Sequence, residues 1–184
     1  SEARGTREQN MVLADVEQRK LLELWLEIRE LGFATPNIGL LSDIVCCPGG
    51  DYCALANAKS IPVAEAIQQR FADLDYLFDI GDLDLNISGC MNACGHHHIG
   101  HIGILGVDKK GEEFYQVSLG GNSGREASLG KILGPSFAQD AMPDVISKLI
   151  GVYLDNRTEE EHFIDTYQRI GIQPFKEKVY APHH

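Results

Sequence analysis

Basic residues are in short supply: 16 Lys and Arg stand against 27 Asp and Glu, for a formal charge of −11. A surface of that sign repels nucleic acid and anionic membranes, so neither is an expected partner. The chain opens on no apolar signal stretch and holds no transmembrane run, which makes the cytoplasm the expected compartment. It also lacks an internal repeat. Cysteine is scarce and odd in number, and five in 184 residues do not make the disulfide framework of a small secreted domain.

Four of those cysteines nevertheless fall in two tight pairs, Cys47-x5-Cys53 and Cys90-x3-Cys94. Both pairs sit among small turn residues, Pro48-Gly49-Gly50 in the first and Gly89 and Gly95 around the second, so backbone can approach a bulky inorganic ligand. An iron-sulfur cubane needs four converging thiolates, and two short loops with two sulfurs each supply them with few ordered residues. Structural zinc sites usually separate paired ligands by roughly two to four residues, which the second pair satisfies and the first does not. Buried thiols acting as small hydrophobes are the bland reading, and two glycine-flanked turns argue against it. Cys46 differs: if the strand before it continues, its side chain faces away from that of Cys47 and packs as a thiol.

Along the chain, Leu21, Leu24, Trp25, Ile28 and Leu31 recur at helical steps, predicting an amphipathic helix over 15–31 closed by Gly32. Residues 10–16 read as a strand end whose partners lie outside the chain. A strand is expected over 38–45, delivering Cys47 into its turn, then a helical turn over 54–59 and a helix capped by Ser60 with Pro62 in its first turn. Val63, Ala66, Ile67 and Phe71 share that helix's core face. Leu83, Leu85 and Ile87 alternate with Asp84, Asn86 and Ser88, as in a half-buried strand that runs into Cys90. Residues 99–107 and 113–119 flank Asp108-Lys109-Lys110-Gly111, a hairpin signature. Helices follow around Val145–Tyr153 and Phe163–Ile170, with Thr158 and Glu161 as a capping box. The pattern predicts an α+β fold: a mixed sheet with helices packed on it and a helical C-terminus.

The segments D-I-V-C-C-P-G-G-D-Y-C, ending at Cys53, and N-I-S-G-C-M-N-A-C-G, starting at Asn86, resemble the C-terminal part of the sirohaem-containing sulfite and nitrite reductases. The likeness extends through the H-I-G-I-L-G-V and Y-Q-V-S-L-G-G-N segments, and the motif wording is most similar to bacterial assimilatory sulfite reductase. It implies that Cys47, Cys53, Cys90 and Cys94 hold a 4Fe-4S cluster and that Cys94 is also axial ligand to the sirohaem iron. It implies too that residues 1–36 end a preceding ferredoxin-like domain with a linking helix, and that 37–184 form the cluster- and sirohaem-binding domain.

On that resemblance the chain is expected to be a C-terminal fragment, inactive alone, from an enzyme of sulfur assimilation that reduces sulfite to sulfide in a six-electron reaction. Ferredoxin-type nitrite reductase is the alternative. A non-catalytic zinc- or cluster-stabilised interaction module is the reading from another class. Ferredoxin or a flavoprotein reductase would donate the electrons. The missing N-terminal half would supply the basic residues for a small anion, because Lys109, Lys110, Arg125 and Lys131 lie scattered among acids. A fragment of this kind would be empty of sirohaem and would cover an exposed apolar face by self-association.

Three further features have two readings each. Asn92 matches the asparagine of the family's C-x-N-x-C motif, where it would bond a sulfur or a haem carboxylate; it is equally a turn asparagine. His96, His97, His98 and His101 either pack near a cofactor edge or face solvent, since a histidine ligand would block the substrate face of the iron. Residues 120–124 would cradle a carboxylate or simply turn the chain after the hairpin.

Overall fold

The computed structural model describes residues 2–124 and 126–181. The chain divides into two compact units, 1–38 and 39–184. In the first, strands β1 (Glu2–Gly5) and β2 (Met11–Ala14) pair antiparallel, so the strand over 11–14 finds its partner within the chain. Helix α1 follows over Leu21–Glu30, shorter than the stretch expected, because Asp15 adopts φ 55 and residues 18–20 form a single tight turn. Leu24 and Ile28 are half-buried while Leu21, Leu22, Trp25 and Leu26 are exposed.

The second unit is built on a five-stranded sheet in the order β3-β4-β5-β6-β7. Strands β3 (Val45–Cys46), β4 (Leu85–Ser88) and β5 (Ile102–Lys109) run parallel, and β6 (Glu112–Leu119) and β7 (Lys131–Ile132) are antiparallel additions. The β5–β6 turn is Lys110-Gly111, both at positive φ, the two-residue hairpin that the glycine permits. Helices α2 (Ile61–Arg70), α3 (Leu74–Ile80), α4 (Met142–Asn156), α5 (Phe163–Ile170) and α6 (Gln173–Tyr180) complete the mixed α+β architecture.

One face of the sheet makes the core. Leu85 and Ile87 stand opposite Ile102 and Ile104, which in turn face Leu119 and Val117, and all six are fully buried. Val63, Ile67, Leu77, Ile146, Leu149 and Phe163 close over them from the helices. Tyr153 of α4 spends its hydroxyl on the carbonyls of Ile80 (2.9 Å) and Glu161 (3.1 Å), fixing α3 and the start of α5 to the long helix.

Several local expectations yield to tertiary context. The strand expected over 38–45 shrinks to Val45–Cys46, because Asp43 accepts the Gly39 N–H at 3.0 Å and folds residues 39–43 into a turn. The helical turn expected over 54–59 is absent, since the N–H groups of Asn57 and Ala58 both go to the Gly89 carbonyl. Strand β4 is not half-buried: Asn86 and Ser88 are also covered, at 7% and 0% exposure. On α5 the box forms four residues later than read, with Asp165 accepting the His162 N–H at 3.1 Å. Glu161 instead accepts from Thr158 N–H (3.1 Å), Thr166 Oγ1 and Arg169. Among the described residues no helix is long and apolar enough to cross a membrane.

Replacing Tyr153 by Phe removes a buried donor from two carbonyls, and we expect it to cost about 1–3 kcal/mol. Urea unfolding of the variant measures this; an unchanged midpoint would contradict the role given to that hydroxyl.

Candidate functional site

Both cysteine turns leave neighbouring parallel strands at the same end of the sheet. Cys47 is the first residue after β3, and Cys90 comes two residues after β4. The ladder carries on into the turn, where Cys47 N–H donates to the Ile87 carbonyl at 3.0 Å. Adjacent strands lie about 5 Å apart, so residues leaving them together start as near neighbours.

The two turns then lock into each other. Gly89 N–H donates to Cys47 Sγ at 3.0 Å, while its carbonyl accepts from Asn57 (2.8 Å) and Ala58 (3.1 Å). A methyl group on Gly89 would stand 2.9 Å from Gly49 Cα and 2.6 Å from the Ala58 carbonyl oxygen. Gly49 itself has φ +62 and room for no side chain beside the Ser60 nitrogen. The glycines expected to admit an inorganic ligand are thus accounted for at Gly49 and Gly89 by the approach of one turn to the other. Ser60, read from the sequence as a helix cap, does not cap: its hydroxyl lies 3.5 Å from Cys47 Sγ.

The second turn folds back over the face of the sheet opposite the core, and this is what buries Asn86 and Ser88. Ser88 Oγ accepts the Gly95 N–H at 3.1 Å, and Asn86 Nδ2 donates to the His96 carbonyl at 3.2 Å. Cys94 lies between two left-handed residues, Ala93 (φ 56) and His96 (φ 53), an uncommon backbone for residues with a Cβ. Gly95 is pinned because a methyl there would come 2.0 Å from the Ile87 carbonyl, and Gly103 of β5 likewise meets the His97 carbonyl at 2.0 Å. Asn86, Ser88, Ser60 and Gly103 escaped the sequence reading as site residues. No sequence signal marked them, because Asn86 and Ser88 alternate as solvent-facing residues do and Ser60 reads as a helix cap.

The four paired thiols differ in exposure. Cys47 and Cys90 are 7% exposed, Cys53 is half-buried and Cys94 is exposed. Tyr52, Leu55 and Met91, chain neighbours of these cysteines, are exposed apolar side chains. None of the five cysteines is in a disulfide. Cys46 packs against the core and donates to the Cys47 carbonyl; burial, with Cys47 beside it, pushes its thiol up to about 12, so it stays protonated. Among the described residues no three His, Cys, Asp or Glu side chains converge as ligands of a single metal ion. Thiolates on a cubane take its outer corners and stand farther apart than that.

Asn92 is exposed in the second turn. His96 and His98 are exposed, while His97 and His101 are buried. His101 Nδ1 accepts the Asp84 N–H at 3.1 Å and its backbone carbonyl accepts the Gly120 N–H, so this residue ties the entries of β4 and β5 to the loop after β6. Gly120 and Gly121 press against the Tyr167 ring and the backbone of His98–Gly100, which accounts for their missing side chains. Lys109 lies over the Phe114 ring, Lys110 forms the hairpin turn, and Lys131 is exposed on edge strand β7. Arg125 lies outside the described residues.

Residues 40–184, nearly the whole second unit, match the family described as nitrite and sulphite reductase 4Fe-4S domain. The chain belongs to this family. It is 28% identical over 170 residues to sulfite reductase (ferredoxin) 2 of Mycolicibacterium paratuberculosis, covering 87% of this chain and 30% of that protein. It is 25% identical over 172 residues to an assimilatory-type sulfite reductase of Nitratidesulfovibrio vulgaris, covering 93% and 75%. A ferredoxin–nitrite reductase of Synechococcus elongatus is 32% identical over 154 residues, covering 81% and 30%. The solved structure of Mycobacterium tuberculosis NirA superposes with a TM-score of 0.78 at 25% identity, covering 94% of this chain and 33% of that one. The family member described here therefore spans about a third of the mycobacterial and cyanobacterial relatives.

Two predictions follow from this packing. Gly95→Ala should destabilise the fold by about 1–3 kcal/mol through overpacking, read by urea unfolding; a neutral result would show that the second turn is not clamped on β4. Burial, with His98 nearby, pushes His97 down to about 4 from 6.5, and burial lowers His101 as well. Because these folded values lie below the unfolded one, the unfolded chain takes up protons first on acidification. Stability should be full above about 6.5 and fall as pH drops toward about 4. Unfolding midpoints across that range test it: His97→Gln should flatten the slope, and a flat wild-type profile would contradict the burial of these neutral imidazoles.

Proposed function

We propose that this family member is the cluster-binding and sirohaem-bridging part of an assimilatory sulfite reductase. The observation that carries the reading is the interlock of the two cysteine turns, with a graded exposure of thiols that leaves Cys94 outermost. Cys47, Cys53, Cys90 and Cys94 would hold a 4Fe-4S cluster, and Cys94, the exposed one, would also reach the sirohaem iron. The donor set fits: four thiols from two turns, with an amide N–H already directed at Cys47 Sγ. The apolar side chains of Tyr52, Leu55 and Met91 suit the edge of a macrocycle better than open water.

When bound, the two groups supply one-electron transfer and a thiolate-ligated iron at which the anion is reduced. The chain's own residues do the positioning. Ser88 and Asn86 fix the turn that carries Cys94, and Gly89 ties the Cys47 turn to it. Asn92, exposed in the same turn, would bond a sulfur or a cofactor carboxylate. With a net charge of −11 the chain does not attract sulfite, so the anion's basic contacts would come from a preceding half of the kind the family resemblance implies. Electrons would come from a ferredoxin or a flavoprotein reductase; ferredoxin appears in the names of the mycobacterial and cyanobacterial relatives. Nitrite is the second substrate reading, favoured by the 32% identity to the Synechococcus protein.

Iron and acid-labile sulfide should be found in about equal amounts, four of each per chain, after anaerobic loading. A colourless protein holding one zinc would contradict the assignment and favour the interaction module. In the longer parent loaded with sirohaem, sulfite should be reduced in preference to nitrite with a viologen donor, and a strong preference for nitrite would reverse the substrate ranking. Cys94→Ser should abolish both reductions.

A further inference from the structure

Ser60 occupies the N-cap position of α2, where a serine hydroxyl ordinarily accepts a backbone N–H of the first turn. Here it makes no such bond, and its backbone is at φ −108, ψ −41 rather than in the extended region of a capping residue. Its carbonyl still starts the helix, accepting from Ala64 N–H at 3.1 Å. The side chain is fully buried, at 0% exposure. Among the described residues its hydroxyl has one hydrogen-bond partner, Cys47 Sγ, at 3.5 Å.

The surroundings are built tightly around that hydroxyl. A Cβ on Gly49 would come 2.7 Å from Ser60 Oγ and one on Gly89 3.0 Å from it, so both turns leave out a side chain where the serine sits. With a protonated Cys47 either atom can donate. A thiolate bound to iron has no proton to give, and the hydroxyl must then be the donor. Together with the Gly89 N–H at 3.0 Å, Cys47 Sγ would receive two hydrogen bonds inside a buried site, where each is strengthened by the low local dielectric.

We propose that Ser60 is a potential-tuning residue, its buried hydroxyl donating to the Cys47 thiolate and so raising the reduction potential of the cluster. Reduction adds one electron to the cluster and increases negative charge on its sulfurs, and a donor aimed at one of them stabilises the reduced form more than the oxidised one. This rests on the reading of the four cysteines as cluster ligands. Ser60 itself is a positioning and electrostatic group that touches the ligand and takes no part in bond making.

The test compares wild type, Ser60→Ala and Ser60→Thr in the full chain loaded anaerobically with iron and sulfide, by redox titration followed with electron paramagnetic resonance. Circular dichroism checks that each variant is folded. The expected result is a shift of the midpoint to more negative potential in Ser60→Ala, with Ser60→Thr closer to wild type. If Ser60→Ala does not retain a cluster and Ser60→Thr does, the hydroxyl is a requirement for cluster retention and the proposal of potential tuning is overturned. An unchanged midpoint in Ser60→Ala overturns the proposal, as does loss of the cluster from both variants, since a retained hydroxyl would then make no difference. If wild type holds no cluster, the reading of the four cysteines falls first.

Discussion

Gly89 is the residue on which the site depends. Its N–H goes to Cys47 Sγ and its carbonyl to the amides of Asn57 and Ala58, so one peptide unit on either side of Gly89 holds the first cysteine turn at both ends. That arrangement exists because β3 and β4 are parallel neighbours and release their turns at the same edge of the sheet. No side chain is tolerated at Gly89, and Gly49 across from it is equally bare. The close approach of two backbones brings the two cysteine turns into contact.

The opposite face of β4 extends the same constraint to the second turn. In parallel sheets helices usually cover both faces. Here the chain covers one of them with its own Cys90–Gly100 segment, held by Ser88, Asn86 and the bare Gly95 and Gly103. Burial of polar side chains is costly unless they are bonded, and these two spend their groups on the turn that carries Cys94. A rigid core face and a clamped turn on the other face give Cys94 a defined exposed position, between two residues in left-handed conformations. This thiol is held outward, whereas Cys47 and Cys90 are withdrawn at 7% exposure.

Much of this was legible in the sequence because it obeys local rules. The Lys110-Gly111 hairpin, the core face of α2 at Val63 and Ile67, and the strand leading to Cys90 all follow from periodicity and turn chemistry. Family membership was carried by the cysteine spacing and its neighbours. What could not be read depends on contacts distant in sequence. Ser60 looks like a cap until Cys47 is placed beside it. Residues 54–59 have helical composition, yet the amides of Asn57 and Ala58 are taken by Gly89. Asn86 and Ser88 alternate as solvent-facing residues would, and only the returning turn buries them. Asp73, which caps α3 by accepting the amides of Asp75 and Tyr76, lies in a stretch too short for periodicity to mark.

The central proposal is that the two cysteine turns enclose one polynuclear iron centre. Anomalous diffraction at the iron edge, from crystals of the anaerobically loaded chain, tests this most directly. The expected result is one compact peak resolving into several irons, bounded by the sulfurs of Cys47, Cys53, Cys90 and Cys94. Iron density elsewhere, a single-ion peak, or an iron-free space between the turns would contradict it.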